Sequence, residues 1–229
     1  MSANDKNWCF AWFAKGLGVG AERAALITGA KWPKGSTIEI SFLDGSDALR
    51  DTVRRHAAAW LEDRAVRLKF AFRKDATNTP IRISFANAGS WSTIGTTCRQ
   101  VPGAKPTMNF GWLAGATEEE ANGVILHEFG HAIGLIHEHQ SPDMTIKWNK
   151  DAVYRDLSGP PNNWSKDVID FNMFTPYSKN ETNFTKLDPL SIMMYPLPSS
   201  WTLDGFSVGV NSSLSQTDKK FVRAQYSGN

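Results

Sequence analysis

Apolar side chains in the first half of the chain recur with the spacings of strands and helices. Partly alternating apolar and polar positions are typical of half-buried strands. They predict strands at 36–43, 66–72 and 81–85, and two further short strand candidates lie at 91–94 and 107–110. Leu49, Val53 and Ala57 follow helical spacing and predict an amphipathic helix over 47–65. A strand, a helix and two further strands predict an α+β fold, in which a mixed α/β sheet contains at least one parallel crossover.

A second helix is predicted to start after Thr117. Threonine is a favoured N-cap residue, and the glutamates at 118–120 suit the positive end of the helix dipole. We interpret this acidic run as a solvated helix start rather than a metal site. The helix is predicted to end near Gly134, because glycine adopts a left-handed backbone at little steric cost.

The character of the sequence changes after residue 137. Prolines recur at 142, 160, 161, 176, 189, 196 and 198 among many Asn and Ser residues. Since these residues favour turns, the second half is predicted to be loop-rich, with one further helix at 216–226. Ser215 or Thr217 is expected to cap that helix, and Phe221 and Val222 are expected to pack on the core.

The composition indicates a chain with a hydrophobic core and gives no sign of a nucleic-acid or membrane partner. The chain has 229 residues, of which 41% are hydrophobic, enough for one core or for one domain with two lobes. The net charge of +2 and the lack of a basic run give no sign of a nucleic-acid partner. No apolar run approaches the length of a membrane span, and the first 15 residues lack the features of a signal peptide.

One stretch, HEFGHAIGLIH, carries specific chemistry. Its first two histidines, His127 and His131, are four residues apart, so both imidazoles project from one face of a helix. Gly134 allows a sharp turn that can bring His137 to the same metal. Three histidines with one open position are typical of a catalytic zinc site. Glu128 lies beside the first ligand, where it can reach a metal-bound water.

This HExxHxxGxxH pattern is the signature of the metzincins, and a second motif is similar to one group of them. Residues 191–195, SIMMY, resemble the Met-turn of the astacins. The resemblance implies that Met193 forms a hydrophobic floor beneath the histidines. It also implies that Tyr195 is an additional zinc ligand, which can swing away to bind a transition-state oxyanion.

Other segments extend the resemblance from about Ala24 to Tyr226. Residues 24–35 look like the start of a mature astacin domain, and residues 90–95 resemble the edge strand on which astacins align substrate. The arginine-rich segment that usually follows the third histidine is missing. The usual four-cysteine framework is missing as well, because the chain has only two cysteines. The chain is therefore identified as a divergent, microbial-type member.

The resemblance implies a two-lobed metzincin fold for a catalytic domain at 24–229. The N-terminal lobe, 24–137, is expected to hold a twisted mixed sheet and the long active-site helix. The C-terminal lobe, 138–229, is expected to be loop-rich.

The function implied is that of a zinc-dependent endopeptidase with one catalytic Zn²⁺. Glu128 is the expected general base on a zinc-activated water. The expected metal ligands are His127, His131, His137 and Tyr195. We expect a secreted monomer that cleaves proteins or peptides, with no nucleic-acid or membrane partner.

The extension at 1–23 is a candidate pro-segment. Arg23 is a trypsin-type cleavage point, and cleavage there leaves a new amino group at Ala24. Mature astacins pair such an amine with the glutamate after the third histidine, here Glu138. In the latent form Cys9 could ligate zinc. The alternatives are that Cys9 is buried among aromatic residues or bonded to Cys98.

Other functions stay open at this point. One is a zinc-containing binding protein without catalysis, against which the presence of Glu128 argues. Another is a hydrolase of the thermolysin type, whose third ligand is a glutamate from a later helix. His139 competes with His137 as a ligand, although its spacing does not fit the signature, and His56 is interpreted as structural.

Overall fold

The computed structural model describes residues 10–12, 29–74, 78–142, 145–160, 162–177 and 187–228. The strands in these ranges are β1 (Phe10–Trp12), β2 (Thr37–Phe42), β3 (Lys69–Phe72), β4 (Ile81–Ser84), β5 (Ser90–Thr93) and β6 (Met108–Phe110). They form one six-stranded sheet in the order β1-β5-β6-β4-β2-β3. Of these pairs, β5 with β6 is antiparallel and the others are parallel. The predicted mixed sheet with a parallel crossover is confirmed.

The crossover from β2 to β3 runs through helix α1, Asp47–Ala57, which continues as a 3₁₀ turn at Ala58–Leu61. The Ser46 hydroxyl accepts a hydrogen bond from the Leu49 amide and caps the start of the helix. The predicted helix over 47–65 is too long. Beyond the 3₁₀ turn, the Asp63 carboxylate accepts from the Ala65 amide in a turn, and this bond competes with a continuation of the helix.

Helix α2, Glu118–Ala132, carries the first part of the histidine motif. Thr117 and Glu120 form a capping box in which each side chain accepts from the backbone amide of the other residue. The predicted start at Thr117 and end near Gly134 are therefore confirmed. The second half of α2 is buried, so this helix runs through the interior of the molecule.

The part after residue 137 is loop-rich as predicted, but it contains more than the one helix that was expected. Besides α5 (Gln216–Tyr226), which was predicted, this part contains α3 (Lys150–Ser158) and α4 (Lys166–Ile169). A π-helical turn, Asp170–Phe174, follows α4. The prolines at 160 and 176 lie between or beyond these helices and interrupt none of them. As expected, Ser215 caps α5 and Val222 is buried.

The described residues form two large hydrophobic cores, besides a small cluster of Ala30 and Ile94. The first packs the sheet against α1, α2 and α5 and includes Trp32, Ile125 and Phe129. The second lies within the C-terminal part and includes Val153, Trp164 and Trp201. The chain passes between them at adjacent residues, because Met193 belongs to the first core and Met194 to the second. No helix in the described ranges has both the length and the apolar surface needed to cross a membrane.

Candidate metal centre

The end of α2 turns the chain so that the third histidine faces the first two. Gly134 has a φ of 101°, a left-handed conformation that a residue with a Cβ adopts only with strain. Its amide donates to the His131 carbonyl at 2.8 Å, and the Leu135 amide donates to the Gly130 carbonyl at 2.9 Å. These bonds satisfy the carbonyls at the helix terminus and close the turn.

Three buried histidines meet at this turn. Ligand nitrogens of His127, His131 and His137 all lie within 4.8 Å of one another, and no carboxylate or thiol joins this group among the described residues. His131 and His137 are fully buried, and His127 is 8% exposed. The structure therefore brings together the three ligands that the motif predicts.

Hydrogen bonds at the Nδ1 atoms fix the tautomer of each ring. Nδ1 of His127 donates to the Ile192 carbonyl at 2.7 Å, and Nδ1 of His131 donates to the Leu135 carbonyl at 2.9 Å. Nδ1 of His137 lies 3.4 Å from Oε1 of Gln140. Because each of these oxygens is an acceptor, the proton of every neutral ring sits on Nδ1. The three Nε2 atoms are left with lone pairs, the form in which histidine binds metals.

The three Nε2 atoms are arranged so that they can bind a cation, and in its absence their lone pairs would repel one another. Nε2 of His131 and Nε2 of His137 lie 3.1 Å apart, which brings two lone pairs face to face. Two nitrogens bound tetrahedrally at the usual zinc distance are about 3.3 Å apart. Nε2 of His127 is buried without a hydrogen-bond partner in the described part of the chain. The chemistry and the spacing of these donors therefore suit Zn²⁺.

Burial keeps the ligands in their neutral form. Desolvation lowers the pKa of His127 to about 4, against the weaker opposing effect of its bond to the Ile192 carbonyl. It also lowers the pKa of His131 and of His137 well below the usual value, and the neighbouring imidazoles add to this effect. No proton needs to leave these Nε2 atoms at neutral pH before a metal binds.

The predicted base and the predicted tyrosine both lie beside the histidines. Glu128 is fully buried on α2, next to the first ligand. The Tyr195 ring is 2% exposed, and its centroid lies 4.2 Å from that of His137 and 6.1 Å from that of His127. Tyr195 thus packs directly on two ligand rings.

Two backbone carbonyls of the Met-turn motif accept hydrogen bonds from His127 and from the residue after His137. The Ile192 carbonyl holds His127, and the Met193 carbonyl accepts from the amide of Glu138 at 3.0 Å. The Met193 side chain is buried against Gly130, and a Cβ at this glycine would overlap the methionine sulfur. Met193 therefore lies against the helix between the first two ligands, as the resemblance implies.

Sequence reasoning did not identify Asp218 as a support of the centre. Its buried carboxylate accepts from the Ser191 hydroxyl at 2.7 Å, the Ile192 amide at 2.9 Å and the Ser215 amide at 2.9 Å. One carboxylate thus caps α5 and holds the turn that orients His127. The Ser-x-x-Asp pattern at 215–218 was the available signal, because it indicates a capping box.

His139 is not part of the metal cluster. Its Nε2 donates to the Asn172 carbonyl at 2.8 Å, and its ring lies 4.7 Å from that of Tyr195. His56 lies on α1, 3.2 Å from the carboxylate of Glu118. The competing ligand role of His139 therefore has no support in the geometry.

The structure describes only some of the residues on which the pro-segment predictions depend. Cys9, Arg23 and Ala24 lie outside the described residues. Cys98 is a free, buried cysteine, and burial raises the pKa of its thiol to about 12. Glu138, the expected partner of a new amino terminus, accepts from the Asp188 amide at 3.0 Å.

The sequence is similar to one peptidase family and to a zinc metalloproteinase. The peptidase family described as Astacin matches residues 27–197. The zinc metalloproteinase nas-30 of Caenorhabditis elegans is 25% identical over 160 residues, which are 69% of this chain and 20% of that protein. The chain thus spans about a fifth of the length of this curated relative.

Solved structures show the same architecture. Two structures of myroilysin superpose with TM-scores of 0.84 and 0.70, at 40% and 37% identity. The first similarity covers 89% of this chain and 98% of that one, and the second covers 98% and 93%. HCE-1, a hatching enzyme zinc-protease of the medaka fish Oryzias latipes, superposes with a TM-score of 0.59 at 18% identity. That similarity covers 86% of this chain and 95% of the fish enzyme, and it shows the fold alone.

Proposed function

Because the chain belongs to the astacin family of zinc metallopeptidases, we propose that it is an endopeptidase that hydrolyses internal peptide bonds. His127, His131 and His137 hold the zinc, Glu128 is the general base, and Tyr195 is a further ligand. The substrates are proteins or peptides, and the enzyme works as a secreted monomer.

The observation that carries this proposal is the set of three Nε2 lone pairs that converge at the end of α2. Each Nδ1 faces an oxygen acceptor, and Nε2 of His131 and Nε2 of His137 approach to 3.1 Å. The group contains three histidines and no carboxylate among the residues that the structure describes, which supports the metzincin arrangement over the thermolysin one.

Glu128 is placed to move the proton of the reaction. When bound, zinc supplies a Lewis acid that lowers the pKa of a water molecule to about 7 and polarises the scissile carbonyl. The Glu128 carboxylate accepts a proton from the attacking water and later delivers it to the nitrogen of the leaving amine. Its full burial keeps bulk water from competing for that proton.

Tyr195 is the proposed oxyanion donor as well as a ligand. Its ring packs on His137 at 4.2 Å, so its hydroxyl would be near enough to hold the zinc or to donate to a developing negative charge on the substrate carbonyl.

We propose in addition that residues 1–23 are a pro-segment of the catalytic domain at 24–229. Strand β1 pairs in parallel with β5 through Phe10–Trp91, Ala11–Ser92 and Trp12–Thr93. It thereby covers the sheet edge at 90–95, where the resemblance places substrate. Backbone groups that pair with β1 are not available to a substrate strand.

Glu138 is the proposed partner of the amino group released by cleavage after Arg23. Burial, with a smaller effect of the nearby Asp218 and Asp188 carboxylates, raises the pKa of Glu138 to about 7, although the hydrogen bond from the Asp188 amide opposes the shift. An ammonium group beside it would stabilise the charged form. The catalytic role of the site does not depend on this pairing.

Substitution of the base separates metal binding from catalysis. In Glu128→Gln we expect one zinc per chain and a fall in kcat/KM of roughly 10²- to 10⁴-fold, the usual contribution of a general base. His131→Ala should lose both zinc and hydrolysis, and His56→Ala on α1 is the control that should keep both.

Zinc content and peptide hydrolysis are measured on the same preparations. Full hydrolysis by Glu128→Gln would remove the general base from the mechanism. Stoichiometric zinc in His131→Ala would remove that residue from the ligand set.

A further inference from the structure

The three histidines differ in what holds their Nδ1 atoms. His127 and His131 each donate to a backbone carbonyl, at 2.7 and 2.9 Å. His137 is the exception among the described residues, because its Nδ1 faces the side-chain oxygen of Gln140 at 3.4 Å. The orientation of the third ligand therefore depends on a side chain.

The amide orientation of Gln140 is fixed from its other end. Its Nε2 donates to the Phe171 carbonyl at 2.8 Å and to the Thr175 carbonyl at 3.2 Å. Both are pure acceptors, so the atom that faces them must be the NH₂ group. The amide oxygen must then point to His137, where it can only accept a proton from Nδ1.

The π-helical turn at Asp170–Phe174 makes the Phe171 carbonyl available. In a regular α-helix the Thr175 amide would bond to the Phe171 carbonyl. Here the Thr175 amide donates to the Asp170 carbonyl at 3.0 Å, five residues back. The Phe171 carbonyl is thereby freed for Gln140, and the Asn172 carbonyl accepts from Nε2 of His139. Single π turns of this kind are frequent at functional sites.

We propose that Gln140 is a positioning residue that sets the tautomer and the orientation of His137 through the π-helical turn. The carbonyls of the turn fix the amide, the amide oxygen fixes the proton on Nδ1, and Nε2 is left with its lone pair for zinc. This inference rests on the proposed zinc centre, in which His137 is a ligand. The acceptor function belongs to Oε1 and the anchoring function to Nε2.

Two substitutions separate the functions of the two amide atoms. Gln140→Met keeps the length of the side chain but removes both the acceptor and the donor. Gln140→Glu keeps an acceptor for His137 and loses the NH₂ group that the turn binds. Gln225→Met is the matched control, because Gln225 lies on α5 and its Oε1 accepts from Lys31.

The test measures zinc affinity by competition with a chromogenic chelator, together with the absorption spectrum of the cobalt(II) form. We expect Gln140→Met to bind zinc 10- to 100-fold more weakly, the usual effect of losing a partner of a ligating histidine. We expect Gln140→Glu to bind zinc more weakly as well, because a carboxylate oxygen in place of Nε2 would face the Phe171 and Thr175 carbonyls and be repelled by them. Gln225→Met should bind as the native chain does.

Two results would overturn the inference: native affinity in Gln140→Met, or native affinity in Gln140→Glu. The first would show that the amide oxygen does not hold His137, and the second that the contacts of Nε2 do not fix the amide. Failure of the proposed zinc centre looks different, because the native chain itself would then bind no stoichiometric zinc. Circular dichroism of each variant confirms that a loss of affinity is measured on folded protein.

Discussion

The hydroxyl of Tyr195 can be tested apart from its ring. Tyr195→Phe keeps the buried ring that packs 4.2 Å from His137 and 4.7 Å from His139. We expect this variant to retain zinc and to lose roughly 10²- to 10³-fold in kcat with little change in KM, since an oxyanion donor acts in the transition state. Steady-state kinetics on a peptide substrate measure the two constants. Native kcat would show that the hydroxyl takes no part.

The individual residues of the centre were predictable to different degrees. His127, Glu128, His131 and His137 lie within eleven consecutive positions, so helical spacing and one glycine turn are enough to bring them together. Gln140 was not predictable, because its role depends on the carbonyls of a π-helical turn more than thirty residues away. No local pattern indicates such a contact.

Asp218 both caps the start of helix α5 and holds the turn that orients His127. In Asp218→Ala the Ser191 hydroxyl and the Ile192 and Ser215 amides lose their buried acceptor. We expect the free energy of unfolding to fall by roughly 2–4 kcal/mol, from lost capping and unsatisfied buried donors. Urea denaturation measures this change. Asp51→Ala removes an exposed ion pair on α1 and should change the free energy by less than about 0.5 kcal/mol. Equal effects of the two substitutions would contradict this account.

Among the helices and strands, those with a clear period were predicted and the others were not. Strands β2 to β6 and helices α1 and α5 appear where the apolar pattern places them, and α2 begins and ends where the Thr117 cap and Gly134 predict. Helices α3 and α4 were missed, because the surrounding prolines and polar residues outweighed a short apolar pattern. The π-helical turn has no period that a sequence can reveal over five residues.

Strand β1 occupies the sheet edge at which a substrate strand is proposed to bind. Because β1 pairs with β5, removal of residues 1–23 should raise the rate of peptide hydrolysis. We expect at least a ~10-fold increase, which corresponds to 1.4 kcal/mol of competing contact. Rates are measured before and after a tryptic cut, with Arg23→Gln as the resistant control. An unchanged rate after removal would rule out a pro-segment.

The astacin family is confirmed by the match over 27–197, and zinc as the cofactor is confirmed by that match together with the cluster of three histidines. They were predictable because the two zinc-site motifs are specific in both residue type and spacing. The division of the C-terminal half into helices around a second core depends on contacts between distant residues, such as the hydrogen bond from the Trp201 indole to Asp156. Such packing follows from the folded arrangement and could not be predicted from the order of residues alone.

The dependence of hydrolysis on zinc is the most direct test of the proposed centre. Protein cleaved after Arg23 is freed of metal with a chelator and titrated with zinc while peptide hydrolysis is followed. We predict no hydrolysis without metal, a linear rise to one zinc per chain, and no further rise beyond it. Hydrolysis by the metal-free protein, or none with one zinc bound, would contradict a single catalytic zinc on His127, His131 and His137.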